Sequence, residues 1–360
     1  MLGYFALLAI FLVVLGISLS PGLVEWLDPR DQKALPVDLD YVRYENYFGA
    51  SFRKRMQEWL QEGRAVTNYI PRAAGVVAVF ENSAGENILV ISPRSFRPQG
   101  ECDELIYCDG DMRLPANSIY HREIYARGRL EIGPGVRLQA AAADGDLVIG
   151  AGCKVNRWLD SQTNLSLQKG TVVRSRASAS ESIALEPGVS MQSLFAPLII
   201  TSELTAEPDD EDALLPPGKQ GAPPSYLKEV ACTRLSNDTW LVSGNLDVPA
   251  GTVTHCNLVV RGPLHTGQNC FFGGDLKAGR VEIGSGNRIA GSIISDASLT
   301  IGENTKVRCN LIAAGDIRIL RGARIGAGRL SAISAGGKVF LERNIAVSGK
   351  ISSAKAVISL

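Results

Sequence analysis

The sequence predicts an all-β protein built as a parallel β-helix, or β-solenoid, with coils of 17 or 18 residues. Three observations lead to this prediction. Pairs of apolar residues separated by one residue recur at a fixed period, and the residue between them is often polar. Two further series of apolar residues, which we call ladders like the first, recur at the same period. Because one coil cannot bury its own inner face, stability has to come from stacking on neighbouring coils.

The first ladder of the C-terminal half is a series of doublets, each usually followed within three residues by glycine or asparagine. Its members are Leu246/Val248, Leu264/Thr266, Val281/Ile283, Leu299/Ile301 and Ile317/Ile319. The second ladder comprises Leu258/Val260, Leu276/Ala278, Ile293/Ser295 and Leu311/Ala313. The third comprises Ile289, Val307 and Ile325. We therefore expect three short strands per coil, each with one buried side.

Residues 101–200 contain the same three ladders. The first comprises Met112/Leu114, Leu130/Ile132, Leu147/Ile149, Leu165/Leu167 and Ile183/Leu185. The second comprises Ile124/Ala126, Ala141/Ala143, Leu159/Ser161 and Ala177/Ala179. The third comprises Leu138, Val155, Val173 and Met191. The sequence thus predicts a first β-helical array over residues 101–200 and a second over residues 239–360.

The two arrays also match residue by residue. Leu114-Pro115-Ala116 corresponds to Val248-Pro249-Ala250 at an offset of 134, and the same offset relates His121 to His255 and Arg127-Gly128 to Arg261-Gly262. Agreement in both spacing and identity indicates an internal duplication.

Composition agrees with a solenoid. Glycine is abundant, with 37 of 360 residues, and aromatic residues make up only 6%, as expected for repeated tight corners around a narrow aliphatic interior. The 37 basic and 37 acidic residues give a formal net charge of zero, which does not favour a nucleic-acid partner.

Residues 1–20 are predicted to form a transmembrane helix. Leu2 to Leu19 carry no charge and would span about 27 Å as a helix. A cleaved secretory signal is the alternative, but no Lys or Arg precedes the apolar run, and Ser18-Leu19-Ser20 is a weak cleavage site. Basic residues follow the segment and none precedes it. The positive-inside rule then predicts a single-pass protein of the cell inner membrane, with the bulk of the chain in the cytoplasm.

Residues 21–100 are predicted to form a juxtamembrane helix and hairpin region. Glu45 to Glu62 has the apolar spacing of an amphipathic helix, with Arg53-Lys54-Arg55 on its polar side. This helix could lie on anionic headgroups, or it could pack on a small domain with its basic face in solvent. Gly75 to Phe80 and Asn87 to Ile91 are expected to form a hairpin that either belongs to a small α+β unit or caps the solenoid.

Residues 201–238 are predicted to be a linker or insertion. They contain the acidic run Glu207 to Asp212 and the prolines Pro216-Pro217 and Pro223-Pro224, and no apolar period survives there. The sequence leaves open whether the two arrays stack coaxially into about twelve coils, roughly 58 Å long, or lie side by side.

No catalytic, cofactor-binding or metal-binding residues are assigned. The seven cysteines contain no CxxC and are interpreted as reduced, small apolar side chains, with only the pair Cys102 and Cys108 left open for another role. His121, His255 and His265 lack a local catalytic motif, and the first two, which fall at a coil corner, are expected to have a structural role such as a hydrogen bond to a turn carbonyl. The sequence therefore favours a structural protein over an enzyme.

Three segments carry a resemblance to a known family: Asn257-Leu-Val-Val-Arg-Gly-Pro-Leu264, Val281-Glu-Ile-Gly-Ser-Gly286 and Gly291-Ser-Ile-Ile294. They resemble the bactofilins, the polymer-forming bacterial cytoskeletal proteins, over about residues 105–200 and 239–360. The resemblance implies a right-handed β-helix that polymerises end to end without nucleotide, often at the inner membrane. It also implies a scaffold that recruits envelope-synthesis or other membrane proteins. Two arrays, an added N-terminal region and a strand-like C-terminus depart from the usual plan.

A second family supplies the alternative function. Ile149-Gly-Ala-Gly-Cys-Lys-Val155 and Ile301-Gly-Glu-Asn-Thr-Lys-Val307 also resemble the hexapeptide-repeat acyltransferases, which are left-handed β-helices. Here only one face carries this form, and the 17-residue periods break a strict hexad, although the period alone does not determine handedness. The sequence thus favours a membrane-anchored, self-associating scaffold, with an acyltransferase acting at the membrane as the alternative.

Overall fold

The computed structural model describes residues 46–70, 73–92, 97–98, 101–202, 225–236, 238–326 and 328–360. Across them the chain forms a β-solenoid of about 13 turns, which confirms the predicted fold class. Helix α1 (Tyr47–Glu62) precedes the coils, and 36 strands join into one continuous sheet. Strands β2 (Ala73–Ala74) and β5 (Arg97–Pro98) form a separate antiparallel pair.

Each coil of the first array contributes one strand to each of three faces, and successive coils pair in parallel. Face 1 contains β8 (Met112–Leu114), β11 (Leu130–Ile132), β14 (Leu147–Ile149), β17 (Asn164–Leu167) and β20 (Ser182–Leu185). Face 2 contains β4 (Asn87–Ile91), β7 (Leu105–Cys108), β10 (Ile124–Ala126), β13 (Ala141–Ala143), β16 (Trp158–Ser161) and β19 (Arg176–Ala179). Face 3 contains β6 (Glu101–Cys102), β9 (Ile119–Tyr120), β12 (Arg137–Leu138), β15 (Lys154–Val155) and β18 (Val172–Val173). Strand β21 (Ser190–Thr201) completes the last coil on all three faces.

The second array repeats this arrangement, with β26 (Asn257–Thr266) and β28 (Leu276–Ile283) each running across faces 2 and 1. Face 1 also contains β24 (Leu246–Val248), β31 (Leu299–Ile301), β34 (Ile317–Ile319) and β37 (Val339–Leu341). Face 2 also contains β23 (Thr239–Val242), β30 (Ile293–Ser295), β33 (Leu311–Ala313) and β36 (Ser331–Ala335). Face 3 contains β25 (Val253–Thr254), β27 (Phe271–Phe272), β29 (Arg288–Ile289), β32 (Lys306–Val307) and β35 (Arg324–Ile325). Strand β38 (Ile345–Ser359) completes the last coil.

The predicted ladders are confirmed in register. Leu299 pairs with Val281 on one side and with Ile317 on the other, and all three side chains are fully buried. Ile289 and Val307 stack in the same way on face 3. The apolar columns therefore form one core that extends through both arrays.

A column of left-handed residues turns the chain between faces 1 and 3. Its backbone φ angles are positive, a conformation that glycine adopts without a steric penalty and asparagine tolerates better than other residues. The column comprises Asn117, Gly135, Gly152, Gly170 and Gly188 in the first array, and Gly251, Asn269, Gly286, Asn304, Gly322 and Asn344 in the second. This requirement explains the glycine or asparagine that follows each doublet in the sequence.

The two arrays meet through their last coils. Strands β21 and β38 pair in antiparallel orientation, from Ser190 opposite Ile358 to Thr201 opposite Ile345. The arrays are therefore coaxial, and the chain direction along the axis reverses at this junction. Because of the reversal, face 2 continues through the whole solenoid, while face 1 of each array continues as face 3 of the other.

The outer end of the first array is capped on face 2. Strand β3 (Val76–Glu81) forms the predicted hairpin with β4, which pairs in parallel with β7. Strand β1 (Arg64–Ala65) adds to the hairpin through β3. Of the two predicted roles for the hairpin, part of a small α+β unit or a cap on the solenoid, the structure shows the cap.

The outer end of the second array is capped by residues that the sequence places in the linker. A 3-10 helix (Ser225–Glu229) inserts Leu227 into the core, and strand β22 (Cys232–Arg234) pairs antiparallel with β23. Part of the predicted linker or insertion, residues 201–238, therefore belongs to this cap. Short apolar anchors separated by polar residues carry no period, which is why the sequence pattern did not reveal the cap.

The predicted transmembrane segment, residues 2–19, lies outside the described residues. Among the residues that the structure describes, no helix has the length and apolar character needed to span a membrane.

Ile301→Asp should destabilise the second array severely. Ile301 is fully buried in the face 1 ladder, and a carboxylate placed there would lack a partner, which costs several kcal/mol. Thermal unfolding followed by circular dichroism measures the loss. Thr300→Asp is the matched control, because Thr300 lies one residue earlier and faces outward. A stable, protease-resistant Ile301→Asp protein would mean that the inward and outward faces are reversed.

Candidate functional site

Helix α1 covers face 2 of the first array. The outward-facing residues of this face form a column of Tyr107, Tyr125, Ala142, Asp160 and Ser178. All five side chains are buried, although they point away from the solenoid interior. The cause is the helix, which packs against β13 and β16.

Apolar contacts supply part of this docking. Phe52 of the helix packs edge-on against Trp158, with ring centroids 5.5 Å apart, and against Tyr125 at 6.4 Å. Met56 is completely buried in the same cluster. Edge-to-face aromatic pairs contribute about 0.5–1.5 kcal/mol each beyond the area that they bury.

Arg53 extends from the helix into a polar pocket in the face. Its Nε donates to Asp144 Oδ1 at 2.8 Å, its Nη1 donates to Asp160 Oδ1, and its Nη2 donates to the carbonyl of Ala143 at 2.6 Å. The side chain is only 6% exposed. Ser178 donates a further hydrogen bond to Asp160 at 2.5 Å. The buried guanidinium is therefore satisfied by two carboxylates, as a buried cation must be.

The surroundings of Asp160 raise its pKa. Burial is the main cause, because it penalises the charged carboxylate, and the Arg53 guanidinium and the Ser178 hydroxyl counteract it. Tyr125 donates a hydrogen bond to Asp144 Oδ2 at 2.7 Å, and burial raises the pKa of this phenol. These groups hold the helix in place.

A glycine permits the helix to approach this closely. A Cβ atom at Gly49 would collide with the carboxyl group of Asp160. Because Gly49 has no side chain, the helix leaves space for the ion pair between Arg53 and Asp160.

These contacts correct the sequence interpretation of the basic run. The sequence places Arg53 with Lys54 and Arg55 on a polar side that meets either anionic headgroups or solvent, but Arg53 is buried, and of the three only Lys54 and Arg55 are exposed. The helix packs on the first array and not on a separate small domain. The sequence did contain a signal for this contact. Tyrosines and an aspartate in an outward-facing column of a solenoid indicate that the column is covered by a partner with apolar side chains and a positive charge.

The free strand edges at the two outer ends are the second candidate surface. Strand β8 pairs only with β11 and strand β24 only with β26 among the described residues. The backbone N–H of Met112 donates to the carbonyl of Arg129, and the carbonyl of Leu114 accepts from the N–H of Gly133. Because alternate residues of a parallel strand bond to opposite neighbours, the backbone N–H and C=O of Arg113 point away from the neighbouring coil. Strand β24 has the equivalent position by duplication, with Asp247 in the place of Arg113.

A groove of about 670 Å³ runs along the free edge of β8. It is lined by Asp111, Met112, Arg113, Leu114, Pro115, Arg129 and Glu131. Unpaired backbone groups beside a partly apolar groove form a surface that can accept an added strand.

All seven cysteines are free, and five are buried. Burial raises the pKa of Cys102 to about 12 and that of Cys108 to about 11, so both thiols stay protonated near neutral pH. The pair that the sequence left open therefore consists of unreactive thiols. No group of three or more potential metal ligands occurs among the described side chains.

The two histidines that are related by the duplication have different partners. His121 pairs with Glu101, with Nε2 and Oε2 2.8 Å apart, and not with a turn carbonyl. His255 packs against the Phe271 ring at 5.5 Å, although it is the duplicate of His121. Nδ1 of His265 lies 3.0 Å from Oε2 of Glu282. The duplication therefore does not preserve one common role for the first two histidines.

Comparison with known proteins finds no matching family model, curated protein or solved structure.

Arg53→Met should weaken helix docking in a pH-dependent manner. Removing the guanidinium leaves Asp160 buried without its charged partner, which should cost about 3–5 kcal/mol of the free energy of unfolding. Burial raises the pKa of Asp160 in the folded state. The free energy of unfolding therefore falls as the pH rises from below the pKa that this carboxyl has in the unfolded chain to above the pKa that it has in the folded chain. The loss should therefore be larger at about pH 8 than at about pH 5. Urea denaturation at both pH values measures it.

Lys54→Met is the control for this prediction. Lys54 lies on the same helix, is exposed, and faces Glu58 at 4.0 Å, a surface pair of little energetic value. Equal losses in the two variants, or a loss at Arg53 that does not change with pH, would contradict the role given to the Arg53 ion pairs.

Proposed function

We propose that this chain is a membrane-anchored structural scaffold of the bactofilin type, which self-associates through the ends of its solenoid. The observation that carries the proposal is that β8 and β24, one at each outer end, have no strand partner on their outer side in the part of the chain that the structure describes. A strand edge is a template for pairing with another chain, and a rod with an edge at both ends can extend in two directions.

The proposed anchor is the apolar segment of residues 2–19, which would hold the solenoid at the cytoplasmic side of the bacterial inner membrane. Helix α1 begins at Tyr47 and is fixed to face 2 by Arg53. Partner proteins of the membrane or of envelope synthesis would then bind along the sides of the solenoid.

The alternative is a hexapeptide-repeat-like acyltransferase acting at the membrane. It would require a histidine that works at a subunit interface on an acyl donor. His121, with Glu101 as an orienting carboxylate, is the histidine that most favours this alternative.

Arg113→Pro combined with Asp247→Pro should block assembly. Proline removes a backbone donor from each free edge and is tolerated at edge strands. Because the affected groups point away from β11 and β26, each array should keep its fold. We expect concentration-dependent oligomers of the full chain in detergent micelles to fall by on the order of tenfold or more, measured by sedimentation and negative-stain imaging.

Arg113→Ala combined with Asp247→Ala is the matched control, because it removes the same side chains and keeps both backbone donors. Equal assembly of the proline and alanine variants would contradict the edge model. Compact trimers that bind coenzyme A, with binding lost in His121→Ala, would favour the acyltransferase.

A further inference from the structure

One side of the solenoid is basic and apolar along its middle. Because the arrays are coaxial and the chain reverses at their junction, face 3 of the first array and face 1 of the second lie on the same side, which we call the 3/1 side. One residue of each coil points outward there, and these residues form one column. From the first array to the second they are Arg137, Lys154, Val172, Ser190, Ile358, Phe340 and Arg318.

The basic residues of this column lack acidic partners among the described side chains. Arg137 and Lys154 are exposed and lie opposite each other in register. In the part of the chain that the structure describes, no carboxylate forms an ion pair with either of them or with Arg318. Like charges directly opposite each other on neighbouring strands destabilise a sheet. An anionic occupant of this side would offset that repulsion.

The nearest acidic residues of the column mark the two ends of its basic stretch. Glu101 lies two strand spacings beyond Arg137, and Glu282 lies two beyond Arg318. Each of these carboxylates already pairs with a histidine. The stretch from Arg137 to Arg318 covers six strand spacings, or about 29 Å, and crosses the junction of the two arrays.

Further basic residues lie along the edge between the 3/1 side and face 2. Arg174 follows β18 at this edge in the first array, and Lys338 precedes β37 in the second. Lys355 lies between the face 2 and face 1 parts of β38. All three are exposed. Asp316 also lies at this edge, and its Oδ1 accepts a hydrogen bond from the backbone N–H of Lys338 at 2.7 Å. The positive charge therefore extends beyond a single row of residues.

Apolar side chains occupy the centre of the column. Val172 is 37% exposed, and Ile358 and Phe340 are half-buried. The guanidinium of Arg318 lies over the Phe340 ring, 5.4 Å from its centroid. Basic residues around accessible apolar ones are typical of surfaces that bind the anionic interface of a bilayer. A nucleic-acid backbone would use the charges but not the apolar side chains.

Helix α1 begins at the border of the same side. The ring of Phe48, in the first turn of the helix, lies 4.5 Å from the guanidinium carbon of Arg176. Arg176 opens β19, at the corner between face 3 and face 2 of the first array. The chain therefore enters the helix next to the 3/1 side.

We infer that the 3/1 side lies on the anionic surface of a lipid bilayer. Headgroup phosphates would contact Arg137, Lys154 and Arg318, and Val172 and Ile358 would lie at the headgroup level between them. The rod would then lie parallel to the membrane and would not stand on one end. This inference rests on the membrane location proposed above and adds the side of the rod that faces the bilayer.

Lysine acetylation of the full chain in nanodiscs tests this orientation. One set of discs contains phosphatidylcholine alone, and the other contains about 30% phosphatidylglycerol. A water-soluble N-hydroxysuccinimide ester acetylates accessible amines, and mass spectrometry follows each lysine. We expect Lys154 to react about fivefold more slowly in the anionic discs, and about 1 M salt to remove most of this difference. Lys277, which is exposed on face 2 of the second array, should react equally in both sets.

Charge removal provides the second measurement. Arg137→Gln combined with Arg318→Gln should reduce the protection of Lys154 to less than about twofold. Lys277→Gln combined with Arg308→Gln is the matched control, because it removes two exposed charges outside the 3/1 side and should keep the protection. All four side chains point outward, and circular dichroism checks that both variants keep the fold.

The outcomes separate this inference from the proposed anchor. Equal acetylation of Lys154 in both sets of discs, or equal protection in the two double variants, would overturn the inference and leave the anchor intact. A chain that enters only the anionic discs, with Lys154 protected, would support the inference and contradict the anchor. Absence from both sets would overturn both. Protection of Lys154 by double-stranded DNA as strong as that by the anionic discs would overturn the assignment to a lipid surface.

Discussion

Burial of the aliphatic columns by stacked coils is the constraint on which this molecule depends, and it makes the ends of each array a problem. An unstacked last coil would expose its inner residues and a full set of strand edges to solvent. Each array covers the last coil of the other through the antiparallel pairing of β21 with β38. At the outer ends, antiparallel strands cover face 2, and among the described residues the terminal strands of faces 1 and 3 have no strand partner on their outer side.

The duplicated arrays share a core but have different surfaces. Asp160 and Ala142, which receive helix α1 in the first array, correspond in the ladder of the second array to Ile294 and Lys277. A helix with a buried arginine could not dock there, because Ile294 offers no carboxylate to pair with it. Inward positions carry small or apolar residues, including the aromatic Tyr120 and Phe272 on face 3, whereas outward positions were free to diverge.

The repeat pattern predicted the solenoid and the register because each inward residue, such as Val281 or Leu299, has the same requirement in every coil. It could not predict how the arrays join, since parallel and antiparallel stacking of the last coils bury the same side chains. It also missed the burial of Arg53, because an arginine in an amphipathic helix gives the same pattern whether it meets solvent or a carboxylate. The cap at Leu227 has one anchor and no period.

The antiparallel junction also determines how the chain must be connected. In a duplication joined in parallel, the second array could begin where the first ends, and a short corner would suffice. Here the first array ends in the centre of the solenoid, at Thr201, whereas the second array begins at its outer end, near Thr254. The connection between these two points therefore has to bridge about five strand spacings of face 3, or about 24 Å. A long connection between the copies is thus a consequence of the chain reversal.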